Sequence, residues 1–277
     1  MNNNSFLENG FFIIRNAFST KLLKEIQEIT NKCIFNISKK GLPKVNNYKN
    51  FCLNLKNTKN NFFLANTEIH KLLVYERIYQ RIFTSKKFYK NIINILGKDL
   101  AFCDEPSIII NLSKEKLKKN YYFKDWHQEI WSGADTSTVI MWTPIFHNSP
   151  NNGQLSIVKK SHNWGHIPHR NRRPSELPKK LNIVSPKINY TDVIIMHSMV
   201  LHKSNPIIGN GYHPRLALSS MIRNPKFKHN NFEDNKSWKI FSYSELSMIE
   251  RKLGNIYLSP YRVNDLDQTD FSTGTLK

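Results

Sequence analysis

Trp126-His127-Gln128-Glu129 opens the stretch on which the fold turns, and an apolar, β-rich run follows it through Phe146. On a strand, side chains alternate between faces, so residues two apart project the same way. A strand over this segment therefore presents the His127 imidazole and the Glu129 carboxylate together. Those are two members of a 2-His-1-carboxylate facial triad, which leaves open positions on a non-haem Fe(II). The pattern alone is weak, because ten histidines and 21 acidic residues make a chance His-x-Asp/Glu common. A complete triad needs a second histidine on a later strand that returns to the same pocket.

TDVIIMHSMVLHKS, residues 191–204, offers one. A buried strand over Val193–Met196 runs into His197, and His202 follows five residues later. In one unbroken strand an odd separation puts these two histidines on opposite faces, so only one joins a triad. Ser204 shares the face of His202. Asn205-Pro206 and Gly209-Asn210-Gly211 then signal a turn. The chain resumes as a strand at Pro214–Leu218. A hairpin centred near Ile208-Gly209 sets His202 almost opposite Arg215, at cross-strand distance. An arginine beside a metal ligand suits an anionic partner of that metal, because a guanidinium grips a carboxylate through two parallel hydrogen bonds.

The chain resembles the phytanoyl-CoA dioxygenase family of Fe(II)/2-oxoglutarate oxygenases. The resemblance rests on ordered segments: LENGFFIIRNAFS (7–19), WHQE (126–129), Trp142-Thr143, NNGQLSIVKKSHNWG (151–165), DVIIMHSMVLHKSN (192–205) and Arg215. It covers about Leu7 to Arg223 in scattered blocks and says little about the substrate. It implies that His127, Glu129 and His202 hold the iron and that Arg215 pairs with the distal carboxylate of 2-oxoglutarate. It also implies that Ser204 lies beside that arginine and that Trp142 lines the cosubstrate pocket. The chain departs from the family at Glu129, where Asp is usual. A carboxylate is still present, which argues against a halogenase-type site.

Composition bounds the rest. The 277 residues suit one domain over 1–277, with 39% hydrophobic and 12% aromatic residues for its core. Cys33, Cys52 and Cys103 lie far apart with no Cys-x-x-Cys pair, which fits a reducing cytoplasmic setting and argues against both a disulfide framework and a zinc site. No apolar run approaches the roughly 18 residues of a membrane span. The net charge of +20 invites a nucleic-acid partner. The lysines are scattered, however, and the chain is rich in Lys, Asn and Ile throughout, so a nucleic-acid-binding oxygenase ranks well below a small-molecule enzyme.

Along the chain, Phe11–Ile14 reads as a strand, and Ser19 or Thr20 caps a helix through about Phe35. Ser38–Asn61 reads as a surface loop in which Phe62-Phe63-Leu64 either tuck back onto the core, the commoner case, or reach the substrate pocket. Glu68–Gly97 reads as two helices broken near Thr84-Ser85, with Gly97 as the stop. Strands follow at Leu100–Cys103, Ser107–Asn111, over the WHQE segment, Thr136–Phe146, Gln154–Val158, Asp192–Met196 and Pro214–Ile222. A helical buttress over about 19–97, a β core over about 100–223 and a C-terminal helix and tail over 224–277 fit a mainly β fold with α elements. That is a double-stranded β-helix (jelly roll, cupin-like) buttressed by N-terminal helices. The last helix is expected over Tyr243–Leu253, capped by Ser244.

The basic segment 161–180 holds His169, Arg170 and Arg172. It reads either as a solvated loop or as a cationic lid over an anionic substrate. His197 reads as a packed, hydrogen-bonded residue. The expected activity is 2-oxoglutarate-dependent hydroxylation, with O2, of an unactivated C–H on a small or carrier-bound molecule, an anionic one where the basic segment is a lid. A non-catalytic cupin-like binding protein is the alternative, and an intact His127, Glu129, His202 and Arg215 set argues against it. Neither the substrate nor the oligomeric state is written in the sequence.

Overall fold

The computed structural model describes residues 3–39, 59–103, 107–111, 125–132, 134–146, 153–205, 215–227, 238–252, 269–270 and 275–276. Helix α1 (Asn3–Asn9) leads into β1 (Phe11–Ile14). Helix α2 (Thr20–Lys39) follows, and the Ser19 hydroxyl caps it by accepting the Leu22 N–H at 3.1 Å. Three more helices come next: α3 (Lys59–Tyr75), α4 (Ile78–Phe83) and α5 (Lys86–Leu96). Gly97, at φ 81°, ends α5 and bonds its N–H to Ile93 O.

These helices depart from the sequence reading in two places. The break at Thr84-Ser85 is present, but a second one falls at Arg77, whose φ is 52°. At the two ends of the loop expected over Ser38–Asn61, Ser38 and Lys39 complete α2 and Lys59–Asn61 begin α3, whereas 40–58 lie outside the described residues. Phe62-Phe63-Leu64 therefore lie within α3 rather than in a loop.

Two antiparallel sheets follow. The larger combines β1, β2 (Leu100–Cys103), β3 (Ser107–Asn111), β4 (Thr138–Phe146), β9 (Val193–His197), β11 (Arg215–Arg223) and β12 (Trp238–Ser242). Its order is β1-β9-β4-β11-β2-β12, with β3 also paired to β11. The smaller is β10 (His202–Ser204), β5 (Leu155–Val158) and β8 (Ile183–Val184), in that order. Between β5 and β8, β6 (His169–Arg170) and β7 (Arg173–Pro174) form a hairpin.

Strand alternation divides the core. Val139, Met141, Val193, Ile195, Leu216, Leu218 and Ile222 pack against the helices. Their alternates Ile140, Trp142, Ile194, Met196 and Ala217 pack against Leu155 and Ile157 of the small sheet. Helices, large sheet and small sheet are thus three layers, and the second core lies between the sheets.

Two expected strand relationships are corrected. His202 and Arg215 are not opposite one another in a hairpin. β10 pairs with β5, whereas β11 pairs with β4, β3 and β2, so the chain changes sheets between them. Nor do His197 and His202 share one strand: His197 ends β9 in the large sheet, and a turn closed by Val200 N–H to His197 O at 2.9 Å precedes β10.

Strand β12 was not anticipated, because Lys239 interrupts its apolar pattern. It adds an edge to β2. Helix α6 (Glu245–Lys252) follows. Its Ser244 cap accepts the Ser247 N–H at 3.2 Å, and Asp99 accepts the Ser244 N–H and hydroxyl, both at 2.9 Å. Among the described residues no helix is long and apolar enough to cross a membrane. The turn expected at 206–211 falls outside the described residues, as does the C-terminal tail apart from 269–270 and 275–276.

Candidate metal centre

His127 and Glu129 do not reach the site on a strand. His127 makes a lone antiparallel bridge with His202, and Glu129 begins a short 3-10 turn, Glu129–Ser132. The bridge consists of His127 N–H to His202 O at 3.0 Å and His202 N–H to His127 O at 3.1 Å. One residue past Gln128, the Glu129 N–H donates to Ser198 O at 3.0 Å. Two backbone anchors on the 198–202 segment therefore place both ligand residues of WHQE.

The side chains converge. Each imidazole uses Nδ1 on a backbone carbonyl: His127 on Asp125 O at 2.6 Å and His202 on Val200 O at 2.9 Å. A carbonyl only accepts, so each Nδ1 carries the proton, and in the neutral ring each Nε2 presents a lone pair. Those Nε2 atoms lie 3.2 and 3.7 Å from Glu129 Oε1. The three ligand atoms all lie within 4.8 Å of one another. His127, Glu129 and His202 are 6%, 6% and 5% exposed. Two imidazole lone pairs and a carboxylate facing one another away from water fit a metal cation.

Across the gap between the sheets lies Arg215, completely buried. Its Nη2 donates to Ser204 Oγ at 3.2 Å, and its guanidinium lies 5.0 Å from the centre of the Trp142 ring. Arg215, Ser204, Trp142 and the triad are therefore gathered at one inter-sheet space, although the predicted hairpin is absent. A buried guanidinium presents forked donors that suit a carboxylate at this end of the space.

Residues 161–180 form an arm rooted beside the triad. The His169 ring stacks on Trp131, two residues past Glu129, at 4.6 Å and 26°. Burial, then the nearby His166 and Arg172, hold the His169 imidazole below its ordinary range. Arg170 and Arg172 are exposed. The tip of the hairpin turns on Asn171 and Arg172, at φ 53° and 58°.

Gln128 was missed by the sequence reading. It is fully buried between the two WHQE ligands and turned away from them. Its Nε2 donates to Gly165 O at 2.9 Å and Met199 O at 2.7 Å, and its Oε1 accepts the Ile167 N–H at 2.9 Å. It thus ties the root of the arm to the turn before His202. The signal lay in its place: the residue between two ligands that face one way must face the other.

His197 is not part of the triad. It is half-buried and accepts the Met199 N–H on Nδ1 at 3.1 Å. It borders a cavity of about 570 Å³ on the helix side of the large sheet, with Phe6, Leu96, Val139 and Phe227. Burial and the neighbouring His162 push its pKa down to about 4.

Comparisons with known proteins bear on the fold and the family. The chain is similar to an apo non-heme monooxygenase, ThoJ, with TM-score 0.61 and 14% identity, covering 87% of this chain and 84% of that one. It is similar to the epimerase SnoN in complex with Fe3+, alpha ketoglutarate and nogalamycin RO, with TM-score 0.51 and 11% identity, covering 82% and 84%. EctD from S. alaskensis, solved with 2-oxoglutarate and 5-hydroxyectoine, has TM-score 0.50 and 16% identity, covering 82% and 76%. At such identities these likenesses establish a shared fold. No curated protein matches by sequence. The sequence model of one family, phytanoyl-CoA dioxygenase (PhyH), matches residues 6–217, so the chain belongs to the phytanoyl-CoA dioxygenase family.

Proposed function

We propose that this chain is an Fe(II)- and 2-oxoglutarate-dependent dioxygenase that hydroxylates an unactivated C–H of a small or carrier-bound molecule. The observation that carries this reading is the convergence of His127 Nε2, His202 Nε2 and a Glu129 carboxylate oxygen within 4.8 Å, in a buried space that Arg215 also enters. In this reading the two facing sheets are a double-stranded β-helix, and residues 1–277 act as one oxygenase domain.

His127, Glu129 and His202 hold the metal. Their orientation is set by the His127–His202 backbone bridge, the Glu129 N–H on Ser198 O and the two Nδ1–H bonds to carbonyls. Arg215 and Ser204 hold the distal carboxylate of 2-oxoglutarate, and the Trp142 ring supports the guanidinium. The bound iron with 2-oxoglutarate and O2 supplies the oxidising power that replaces C–H by C–OH, with succinate and CO2 as coproducts. The remaining task of the protein is a fixed geometry in a dry space. Trp131 and His169, stacked beside Glu129, exclude water there. The His169–Pro174 hairpin acts as a lid whose Arg170 and Arg172 meet an anionic substrate at the entrance.

Anaerobic titration with Fe(II) and 2-oxoglutarate, followed by absorbance, tests the site. A metabolite screen for substrate-stimulated succinate release then tests the reaction. Failure of wild-type protein to bind 2-oxoglutarate in an iron-dependent way would sink this function.

A further inference from the structure

Arg215 and Arg223 stand at opposite ends of the nine-residue strand β11. Their even separation puts both side chains on one face. Between them, Ala217 and Met221 pack into the core shared by the two sheets, whereas Leu216, Leu218 and Ile222 pack against the helices. Arg223 therefore faces the same inter-sheet space as Arg215, roughly 27 Å further along the strand. That span is too long for one small dicarboxylate to bridge, so Arg223 does not share the cosubstrate role of Arg215.

The triad lies between the two arginines. Arg215 touches Ser204, two residues past His202. Arg223 is reached from the other ligand: Glu129 N–H bonds Ser198 O, Ser198 N–H bonds Thr138 O, and Thr138 is the register partner of Arg223.

Arg223 is only 5% exposed, and its guanidinium lies 4.7 Å from the centre of the Trp238 ring. Asp135 Oδ2 is 3.9 Å from Nη1, beyond hydrogen-bond reach. The other Asp135 oxygen accepts the Ser137 N–H and the hydroxyls of Ser137 and Thr138. Among the described residues, Nε and Nη1 of Arg223 donate to no acceptor. A purely structural ion pair would close a hydrogen bond onto Asp135. Here Nε and Nη1 are desolvated, braced by an indole and, with Asp135 only at ion-pair distance, hydrogen-bonded to no acceptor among the described residues, which is the arrangement an incoming oxyanion completes. Burial also drives the pKa of Arg223 down to about 10, the mark of an under-compensated cation.

We propose that Arg223 anchors a carboxylate or phosphate group of the substrate, on the Glu129 side of the metal centre and opposite the cosubstrate arginine Arg215. This rests on the oxygenase function proposed above and names the substrate class: an oxyanion-bearing molecule gripped at one end, with its reacting carbon held towards the triad.

The experiment uses full-length protein loaded anaerobically with Fe(II) and 2-oxoglutarate, followed by absorbance, so that Arg215 is already engaged. Inorganic phosphate and, separately, acetate are then titrated by calorimetry. The expected result is a saturable site for at least one of them, weakened roughly tenfold or more in Arg223→Gln and Arg223→Lys, since lysine keeps the charge and loses the fork. Asp135→Asn should tighten the same site, because it removes the competing carboxylate and leaves the arginine. Binding of phosphate alone assigns a phosphoryl substrate, and binding of acetate alone a carboxylate. Equal anion binding in wild type and both Arg223 variants, or no saturable site in wild type, overturns the proposal. Normal iron and cosubstrate absorbance in those samples leaves the oxygenase function standing, whereas its loss in wild type defeats both. Arg223→Lys retains a cation beside Asp135, so the comparison survives if Arg223→Gln unfolds.

Discussion

His127 and His202 exchange both of their backbone hydrogen bonds, at 3.0 and 3.1 Å, as a single isolated bridge. The two histidines are thereby placed side by side, with ring centres 4.2 Å apart, before any metal contributes. His197 ends a different strand in the other sheet. His127→Ala and His202→Ala should each abolish Fe(II) binding in anaerobic calorimetry, while His197→Ala binds iron normally. Equal loss in His197→Ala would refute the assignment.

Glu129 is fixed at its backbone by Ser198 and reaches the imidazoles with its carboxylate. Glu129→Asp should keep turnover, because the family to which the chain belongs usually carries Asp there. Glu129→Ala should lose substrate-coupled succinate formation. Full turnover in Glu129→Ala would show that the carboxylate is not a ligand.

Arg215 carries the cosubstrate prediction. A charge-assisted, forked contact in a buried site contributes about 2–3 kcal/mol. Arg215→Ala should therefore weaken 2-oxoglutarate roughly 30- to 150-fold, with Arg215→Lys between and iron binding intact. Ser204→Ala, which removes a neutral hydroxyl, should cost roughly tenfold or less. A normal Kd for 2-oxoglutarate in Arg215→Ala would remove the role given to it.

Gln128 satisfies three backbone groups, at Gly165, Ile167 and Met199, of which that of Ile167 is buried. Gln128→Leu keeps most of its volume and strands all three, at a cost of roughly 2–4 kcal/mol of stability by urea unfolding. Hydrogen exchange should also quicken over residues 165–170. Unchanged exchange there would mean that Gln128 does not secure the arm.

His197 gives the stability a pH dependence. Its pKa falls from an ordinary 6.5 to about 4 in the folded chain. Between these values the unfolded chain takes up a proton that the folded chain refuses. The contribution is thus fully present above pH 6.5 and is lost as the pH falls towards 4, amounting to at most about 3 kcal/mol. His197→Gln should flatten the stability profile across that window in denaturant titrations. An unchanged profile would place the acid sensitivity elsewhere.

Most β core strands were legible in the sequence because apolar runs of strand length carry their own signal. Leu100–Cys103 and Ser107–Asn111 stand where they were expected, and β4, β5, β9 and β11 differ by a residue or two at their ends. Strand β12 escaped because a lysine breaks its pattern, and the break at Arg77 escaped because nothing in Glu76-Arg77 marks a helix end.

By itself the sequence determined the chemistry available: two imidazoles, a carboxylate, an arginine and a serine, in an order that matches one family. Those side chains carry their donor and acceptor character wherever they lie. Only the tertiary structure decided how they meet. Alternation along a strand predicted that His127 and Glu129 share a face, but they meet through a lone bridge to His202 and a 3-10 turn anchored on Ser198. A local hairpin predicted that Arg215 stands opposite His202, but the two belong to different sheets, and Arg215 touches Ser204 across the core between them. Local periodicity fixes which way a residue points from its own backbone. Which backbone stands opposite is settled by packing two sheets over one apolar core, and that is a property of the whole chain.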